Sequence, residues 1–429
     1  MIKEKTLKTL EYNKIMEQVA KLTSFSGSKE LARDMMPTVD LEEARMWQAE
    51  TAEVVKMIDE GTVYGLQGAR DVREVSLNAQ RAVLIEPHIL LDIRYTLKRG
   101  AIIKRNLGKL KGQYPLMAEI ADEIEEVQAL QDAIETSIDD NAEIKDTASA
   151  RLAIIRRDLK ISYDRLQSKL NSILNRSSYQ QYLQDKMIVQ RSGRYVIPIK
   201  ADFKGKIKGV VHDSSSSGAT LFIEPLDTVE LNNKWRELQL EEEKEIRRIL
   251  AELTQLVGDA SEPICRTVEI LSYLDFTLAK AHYAKNTASI KPKLVAFKSQ
   301  KNAKPGFTAH PGSTMMFRGA RHPLLDPETV VPLDIDYGTD TWVMVVTGPN
   351  TGGKTVSLKT VGLLALMAQA GLHVPADEAE MSVFEGIFSD IGDEQSIEQS
   401  LSTFSSHMTN IIDILQECHE HSLVILDEV

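Results

Sequence analysis

The stretch Trp342-Val-Met-Val-Val-Thr-Gly-Pro-Asn-Thr-Gly-Gly-Lys-Thr355 decides the fold that we predict for the last third of this chain. Its apolar first half predicts a β-strand over Trp342–Thr347, its glycines predict a turn, and the apolar residues after Thr355 predict a helix. Such a turn exposes backbone N–H groups at a helix N-terminus, where they and the helix dipole together hold a triphosphate. The spacing GxxxxGK[ST] is that of a phosphate-binding P-loop.

The P-loop pattern predicts a nucleotide site with ATP and Mg²⁺ as cofactors. In such loops the lysine, here Lys354, reaches the β- and γ-phosphates, and the hydroxyl of the next residue, here Thr355, binds Mg²⁺. The residues expected to surround the nucleotide are Gly348, Pro349, Asn350, Thr351, Gly352, Gly353, Lys354, Thr355 and Val356.

A second motif downstream is an apolar run that ends in two carboxylates, Leu423-Val-Ile-Leu-Asp-Glu428. In P-loop ATPases the first carboxylate holds Mg²⁺ through water and the second polarises the attacking water, because phosphoryl transfer depends mainly on positioning and charge neutralisation. We therefore predict Asp427 and Thr355 as metal-binding residues, and Glu428 and Lys354 as catalytic residues. The alternative is a strand that merely ends in acidic residues at a turn.

Between these motifs a serine-rich segment precedes helical spacing from Thr409 to His419. Ser402 or Thr403 is predicted as the N-cap of that helix, which would leave its first N–H groups available for a second anion. Plain capping would explain these residues without a ligand. His407 is expected to be a surface or core residue.

Composition limits the class of protein and the kind of partner. The 429 residues are 42% hydrophobic and carry a net charge of -12, which indicates substantial cores and about three structural units. The acidic balance means that any contact with nucleic acid must be local. The two cysteines form no CxxC pattern, and no apolar run is long enough to span a bilayer, so a cytoplasmic protein without disulfides, zinc or membrane contact is expected.

The first two thirds of the chain predict an arm. Helical spacing of apolar residues predicts a helical core over residues 1–125 and lever helices over 126–185 and 226–289. Short β-type runs between them, separated by Gly193, Gly205 and a serine-rich turn, predict a β-rich clamp tip over 186–225. The nucleotide motifs then lie in an α/β domain over 290–429, and the apolar stripes of the helices are assigned to core packing.

The predicted clamp tip is basic in an otherwise acidic chain. A phosphate backbone favours clustered lysine and arginine through counterion release, so we predict nucleic-acid binding here, whereas a solvated sheet edge protected from aggregation is the alternative. The residues concerned are Lys186, Arg191, Arg194, Lys200, Lys204, Lys206 and Lys208.

Four motifs together resemble the MutS family of ATPases and, within it, the second bacterial branch, called MutS-two. They are Ala320-Arg-His-Pro-Leu-Leu-Asp326, Thr347-Gly-Pro-Asn-Thr-Gly-Gly-Lys-Thr355, Ser402-Thr-Phe404 followed by His407-Met408, and Val424-Ile-Leu-Asp-Glu428. The similarity covers the whole chain. It implies a multidomain fold with a mainly α-helical core and lever arm, a small β clamp, and an incomplete ABC-like P-loop ATPase domain.

The resemblance also implies partners and a signature segment. Family members are homodimers that close two ATPase domains around each nucleotide, so Ser400, Ser402 and Thr403 of one subunit would meet the γ-phosphate held by the other. Members of the MutS-two branch suppress homologous recombination by binding branched DNA, and bind and split collided ribosomes using ATP. DNA and ribosomal RNA are therefore the expected partners. The endonuclease activity of MutS-two proteins lies in a C-terminal Smr domain.

Two departures from the family pattern modify these expectations. No mismatch-reading domain precedes the helical core in this sequence, so mismatch recognition is not expected. The sequence ends at Val429, before the switch histidine, dimerising helices and Smr domain of family members. We therefore expect this stretch alone to bind ATP poorly and to hydrolyse it negligibly, with both activities present in the full-length protein.

Two other classes of protein have partial support. A chromosome-organising coiled-coil ATPase shares the P-loop, but its arm would be longer and would interrupt the ATPase domain, whereas here the arm precedes the P-loop. A non-enzymatic helical DNA-binding adaptor with a vestigial P-loop is the second alternative, and the intact Lys354, Thr355, Asp427 and Glu428 argue against it.

Overall fold

The computed structural model describes residues 2–298, 310–338, 341–348, 353–392 and 400–427, with side chains described from 407 onward in the last range. It divides into two compact units, the first formed by Met1–Val72, Tyr95–Glu126 and Pro263–Val429 and the second by Arg73–Arg94 and Val127–Glu262. These two units are each assembled from separate stretches of the chain, so they do not test the boundaries of the four predicted zones, which stay a prediction. Within the described ranges, no helix combines the length and apolarity needed to cross a membrane.

Helices dominate the described part of the chain, as predicted. Those before residue 140 are α1 (Glu4–Thr9), α2 (Tyr12–Leu22), α3 (Ser26–Asp34), α4 (Leu41–Asp59), α5 (Arg73–Ala79), α6 (Pro87–Lys109), α7 (Pro115–Asp122) and α8 (Gln128–Ser137). Those after it are α9 (Ala150–Leu174), α10 (Leu226–Asp259), α11 (Ser261–Asn286), α12 (Lys354–Gln369) and α13 (Ser400–Glu417).

In the second unit, two long helices flank a four-stranded sheet, as the predicted arm requires. The strands are β1 (Val189–Arg191), β2 (Arg194–Lys200), β3 (Gly209–Ser214) and β4 (Thr220–Pro225), in the order β1-β2-β4-β3 and antiparallel throughout. Helix α9, which is capped by the Ser149 hydroxyl, leads into the sheet, and α10 leaves it. Leu166, Leu170, Ile197 and Trp235 form the core where helices and sheet meet.

The first unit contains two further sheets. One consists of β5 (Lys293–Val295), β6 (Met315–Ala320), β7 (Leu333–Tyr337) and β8 (Glu378–Ser382), in the order β5-β8-β6-β7. The other pairs β9 (Gly386–Asp390) in parallel with β10 (Ser422–Leu426). Parallel pairing brings the carboxyl ends of β9 and β10 to one edge, which positions the candidate site described below.

The N-terminal helices and the segment after residue 354 share one hydrophobic core. On α2, Tyr12, Ile15, Met16 and Val19 recur at helical spacing and are all buried. Burial of each such side chain contributes about 1.5–3 kcal/mol. They pack in the same cluster as the apolar residues of α12. Apolar residues between Ile2 and Ala44 therefore stabilise the same core as the P-loop helix.

Close contacts join α12 to the N-terminal segment along its length. A Cβ at Gly362 would lie 2.6 Å from Ile425 Cδ1 and 2.8 Å from Leu10 Cδ1, so a larger residue here would require these two side chains to move. At the C-terminus of α12, the Gln48 amide donates to the carbonyl oxygens of Ala368 (2.9 Å) and Leu372 (2.7 Å). The Gln48 side chain thus links α4 to the last turn of α12 and to the residues that follow it.

The same unit buries an ammonium group. Lys280 on α11 is fully buried, and its Nζ has no hydrogen-bond partner among the described residues. Burial lowers the pKa of Lys280 to about 8, against a smaller opposing effect of Glu50. Glu50 is itself buried, accepts a 2.5 Å hydrogen bond from the Tyr273 hydroxyl, and has its pKa raised by burial.

The predicted strand over Trp342–Thr347 is not formed. The described residues of this segment belong to no strand, and the side chains of Val343 and Val345 are 74% and 77% exposed. An apolar run forms a strand only where a neighbouring strand supplies ladder hydrogen bonds, and nothing in the described ranges pairs with this one. The prediction of a strand was therefore wrong, because local composition does not show whether a neighbouring strand is present.

Candidate nucleotide site and basic clamp surface

The P-loop helix begins where the sequence predicted. Gly353 adopts the left-handed conformation (φ 78°) and is the N-cap of α12, a position that suits glycine because it has no Cβ. The first turn of α12, Lys354 to Val356, places its N–H groups at the positive end of the helix dipole. Gly348 also has a positive φ (147°), whereas Pro349, Asn350, Thr351 and Gly352 lie outside the described residues.

Two predicted metal-binding residues are in direct contact. The Thr355 hydroxyl donates a 2.5 Å hydrogen bond to Asp427 Oδ2, although 72 residues separate them in sequence. Asp427 follows β10 directly, so the strand aims its carboxylate at the first turn of α12. A hydroxyl and a carboxylate are the hard oxygen donors that Mg²⁺ prefers, so the donor set fits the predicted cation. Glu428, the predicted catalytic carboxylate, lies outside the described residues.

A second carboxylate, which sequence reasoning missed, lies beside Asp427. Asp390 ends β9, is 7% exposed, and its backbone carbonyl accepts a 3.0 Å hydrogen bond from the Asp427 amide. Its side chain accepts a 2.8 Å hydrogen bond from Asn410 Nδ2 and lies 3.0 Å from His407 Nδ1. Asp390 thus connects α13 to the strand end that carries Asp427.

A sequence signal for Asp390 did exist. Gly386-Ile-Phe-Ser-Asp390 is an apolar run that ends in a carboxylate, as the run before Asp427 does. Two such runs in parallel strands place their acidic ends at one edge of the sheet. The partner side chains on α13 carried no comparable signal. His407, expected to be a surface or core residue, is partly buried against Asp390.

The signature residues lie in the first turn of α13. The described helix begins at Ser400, so Ser402 and Thr403 are helical residues and neither is its N-cap, contrary to the prediction. Residues 393–399 lie outside the described residues. Nothing therefore tests contacts of the Ser400, Ser402 or Thr403 side chains.

The structure divides the seven basic clamp residues into two groups. Five lysines have exposed side chains and form no ion pair with any described residue: Lys186, Lys200, Lys204, Lys206 and Lys208. Arg191 is exposed but lies 3.3 Å from Asp213 Oδ2 and over the ring of Phe222, at 4.6 Å from its centroid.

Arg194 is held inside the clamp. Its Nη1 donates to both carboxylate oxygens of Glu224, at 2.8 and 3.0 Å, and its Nη2 donates to Asn233 Oδ1 at 2.7 Å. Glu224 is 1% exposed and also lies 2.6 Å from His212 Nε2. This arrangement links three strands with α10, and it gives Arg194 a structural role besides the predicted nucleic-acid contact.

The comparisons with known proteins identify the class to which this site belongs. Residues 344–429 match the family model "MutS domain V", which covers both nucleotide motifs and the Asp390 contacts. The chain is 43% identical to "Endonuclease MutS2" of Geobacillus sp. (strain WCH70), over 99% of this chain and 53% of that protein. Proteins of the same name match from Thermomicrobium roseum (strain ATCC 27502 / DSM 5159 / P-2), at 43% identity over 99% of this chain and 53% of the relative, and Clostridioides difficile (strain 630), at 41% over 99% and 52%.

The chain is a MutS-family protein of the MutS2 type, as the resemblance predicted. It spans about half the length of the curated relatives that it matches.

Proposed function

We propose that this protein binds ATP and Mg²⁺ at the start of α12 and uses hydrolysis to change its grip on nucleic acid. The observation that carries the proposal is the 2.5 Å contact between Thr355 and Asp427, which unites the ends of two separate motifs. When bound, Mg²⁺ would supply charge neutralisation for the phosphate groups. Thr355 and Asp427 would hold it, and the first amides of α12 with Lys354 would hold the phosphates.

Coupling between the nucleotide and the rest of the protein is proposed to run through a homodimer of ABC-like ATPase domains. The α13 segment of one subunit, with Ser400, Ser402 and Thr403, would meet the γ-phosphate held by the other. Asp390 supports this proposal, because it links α13 to the Asp427 strand within one subunit. Closure would shift the equilibrium between two states of different affinity for the target.

The target is proposed to be a phosphate backbone, in branched DNA or in the RNA of a stalled ribosome. The five exposed clamp lysines support this proposal, since they carry charge without a counter-ion among the described residues. Suppression of recombination and ribosome splitting in the cytoplasm are the roles that the MutS2 type implies. Nuclease activity would belong to an Smr domain of the longer protein, in keeping with the relatives' name "Endonuclease MutS2".

The nucleotide site can be tested by replacing Thr355 with valine. The variant should lose Mg²⁺-dependent tightening of a fluorescent ATP analogue, because the hydroxyl ligand is removed while the side-chain volume stays similar. A Thr355→Ser variant keeps the hydroxyl and should retain the effect of Mg²⁺. Equal Mg²⁺ dependence in wild type and Thr355→Val would contradict the site.

The 429-residue stretch offers a second test by phosphate release. It should hydrolyse ATP negligibly, whereas the full-length protein should turn ATP over and lose that activity on Lys354→Ala substitution. Robust, Lys354-dependent turnover by the stretch alone would show that trans contacts from further segments are not required.

A further inference from the structure

An exposed basic face on α6 lies outside every site described above. From Tyr95 to Ala118 the sequence contains six basic residues and no acidic one, in a chain with a net charge of -12. The six are Lys98, Arg99, Lys104, Arg105, Lys109 and Lys111. All of them lie in the first compact unit, so they are separate from the clamp tip in the second.

Packing determines which of these side chains face outward. One side of α6 is buried, with the side chains Ile93, Leu97, Ile103 and Leu107. The opposite side of the helix therefore faces solvent. At 100° per residue, Lys98, Arg105 and Lys109 fall within about 40° of one another on that side. All three are exposed, and they form no ion pair with any residue that the structure describes. We call these three residues the α6 basic face.

Two of the other three cations of this segment, Arg99 and Lys104, have structural partners, whereas Lys111 is exposed beyond the end of α6. Lys104 donates to the carbonyl oxygens of Asp122 and Ile124 at 2.9 and 2.7 Å. Arg99 donates to the Gln67 carbonyl at 2.8 Å. Side chains with a packing role thus bind backbone oxygens, whereas the α6 basic face binds none among the described residues.

Ordinary solvated helices of this protein mix both signs of charge. On α10, Lys234 pairs with Glu237 and Arg248 pairs with Glu245, each three residues apart. On α9, Arg156 pairs with Glu242 of α10. On a helix face that carries only positive charge, the side chains repel one another. This repulsion destabilises the folded state unless an anion neutralises the charge.

The C-terminal end of the α6 basic face is uncrowded at short range. A Cβ added at Gly108 or Gly112 would meet no atom within 4 Å, so the end of the face is open. From residue 95 to residue 109 the helix extends about 21 Å, which is the axial length of about six base pairs of duplex at ~3.4 Å each. Tyr95, at 37% exposed, lies at the other end of the face.

We propose that the α6 basic face binds the phosphate backbone of a double-stranded nucleic acid, as a second contact besides the clamp tip. This inference rests on the proposed nucleic-acid function and adds a site to it. The contact is electrostatic and independent of sequence, since lysine and arginine on a regular helix face read charge and spacing.

The test is a charge-reversal series in the full-length protein, with duplex DNA and duplex RNA of equal length as probes. The α6 variant carries Lys98→Glu, Arg105→Glu and Lys109→Glu. A control variant carries Lys5→Glu, Lys21→Glu and Lys29→Glu, three exposed lysines on α1, α2 and α3 that change the net charge equally. Affinity is measured by fluorescence anisotropy at salt concentrations from about 50 to about 300 mM.

The α6 variant should bind at least one probe about tenfold or more weakly at ~100 mM salt and show a shallower salt slope, by about one unit for each phosphate that is no longer neutralised. The control variant should change the slope much less. Binding to DNA but not RNA, or the reverse, would assign the face to one of the two sources of phosphate.

Other outcomes separate this inference from the proposed function. Wild-type binding with no difference between the α6 and control variants would overturn the second contact and leave the clamp proposal standing. Absence of wild-type binding would overturn both. Phosphatidylserine vesicles that bind wild type but not the α6 variant, with nucleic-acid affinity unchanged, would assign the face to lipid and refute the inference.

Discussion

Replacing Lys280 with methionine should stabilise the protein at neutral pH. The Lys280 ammonium is fully buried, and burial lowers its pKa from 10.5 to about 8. The difference of about 2.5 pKa units corresponds to about 3 kcal/mol, which the folded state loses by keeping this group charged. Methionine fills a similar volume without a charge. Glu50 would then be protonated more readily, since its pKa is already raised by burial.

The sign of the pH dependence follows from proton counting. Between about pH 8 and 10.5 the unfolded chain, with an ordinary Lys280, binds more protons than the folded chain. The stability of the wild type should therefore rise with pH across this window, whereas Lys280→Met should lack that component. Urea denaturation at pH 7, 9 and 10, followed by intrinsic fluorescence, measures both quantities.

Lys285→Met is the matched control, because Lys285 lies on the same helix and its side chain is 46% exposed beside Asp59. Its stability should stay within about 0.5 kcal/mol of wild type at pH 7. A Lys280→Met variant that is less stable than wild type at pH 7, or that has a stability profile against pH parallel to that of wild type, would contradict this prediction. Either result would mean that the buried ammonium has a compensating partner.

Three further outcomes follow from close contacts in the structure. Gly362→Ala should destabilise by about 1–3 kcal/mol in urea denaturation, because its Cβ overlaps two side chains, whereas Gly108→Ala, which meets no atom within 4 Å, should stabilise by about 0.5–1 kcal/mol. Arg194→Ala should lower the free energy of unfolding by about 3 kcal/mol, because it leaves the buried Glu224 carboxylate without its main partner. The control Lys204→Ala should stay near wild type. Equal melting temperatures of the two variants would refute the structural role of Arg194. Asp390→Ala should slow ATP turnover by the full-length protein about tenfold or more. Each charge-assisted hydrogen bond to α13 that the substitution removes is worth about 1.5–3 kcal/mol. An unchanged kcat would show that Asp390 does not couple α13 to the nucleotide site.

Local patterns predicted the elements of the arm. The apolar spacing that includes Leu166, Leu170 and Trp235 predicted long helices, and Gly193 and Gly205 marked the turns of the sheet between them. Both kinds of signal lie within a few residues of the feature that they predict. The helix after the P-loop was predicted for the same reason, since Gly353 and the apolar run after it are contiguous.

Features that depend on distant partners were missed or wrong. The engagement of Arg194 by Glu224 depends on β2, β3 and β4 lying in one sheet, and the contacts of Asp390 depend on β9 and α13 folding together. The apolar run at Val343 and Val345 satisfied the composition rule for a strand, but strand formation also needs a neighbour. Sequence periodicity contains no information about which neighbour is present.

The shared core of the N-terminal helices and α12 has a practical consequence for dissection experiments. Ile2 forms a single parallel bridge to Ile387, Lys3 pairs with Glu417 at 2.5 Å, and Leu10 lies against Gly362. A fragment cut at about residue 290 to isolate the part that contains the nucleotide motifs would remove a large share of its own hydrophobic interior. Such a fragment should aggregate or unfold, and a split pair in which residues 1–72 are supplied as a separate chain should restore solubility by fragment complementation.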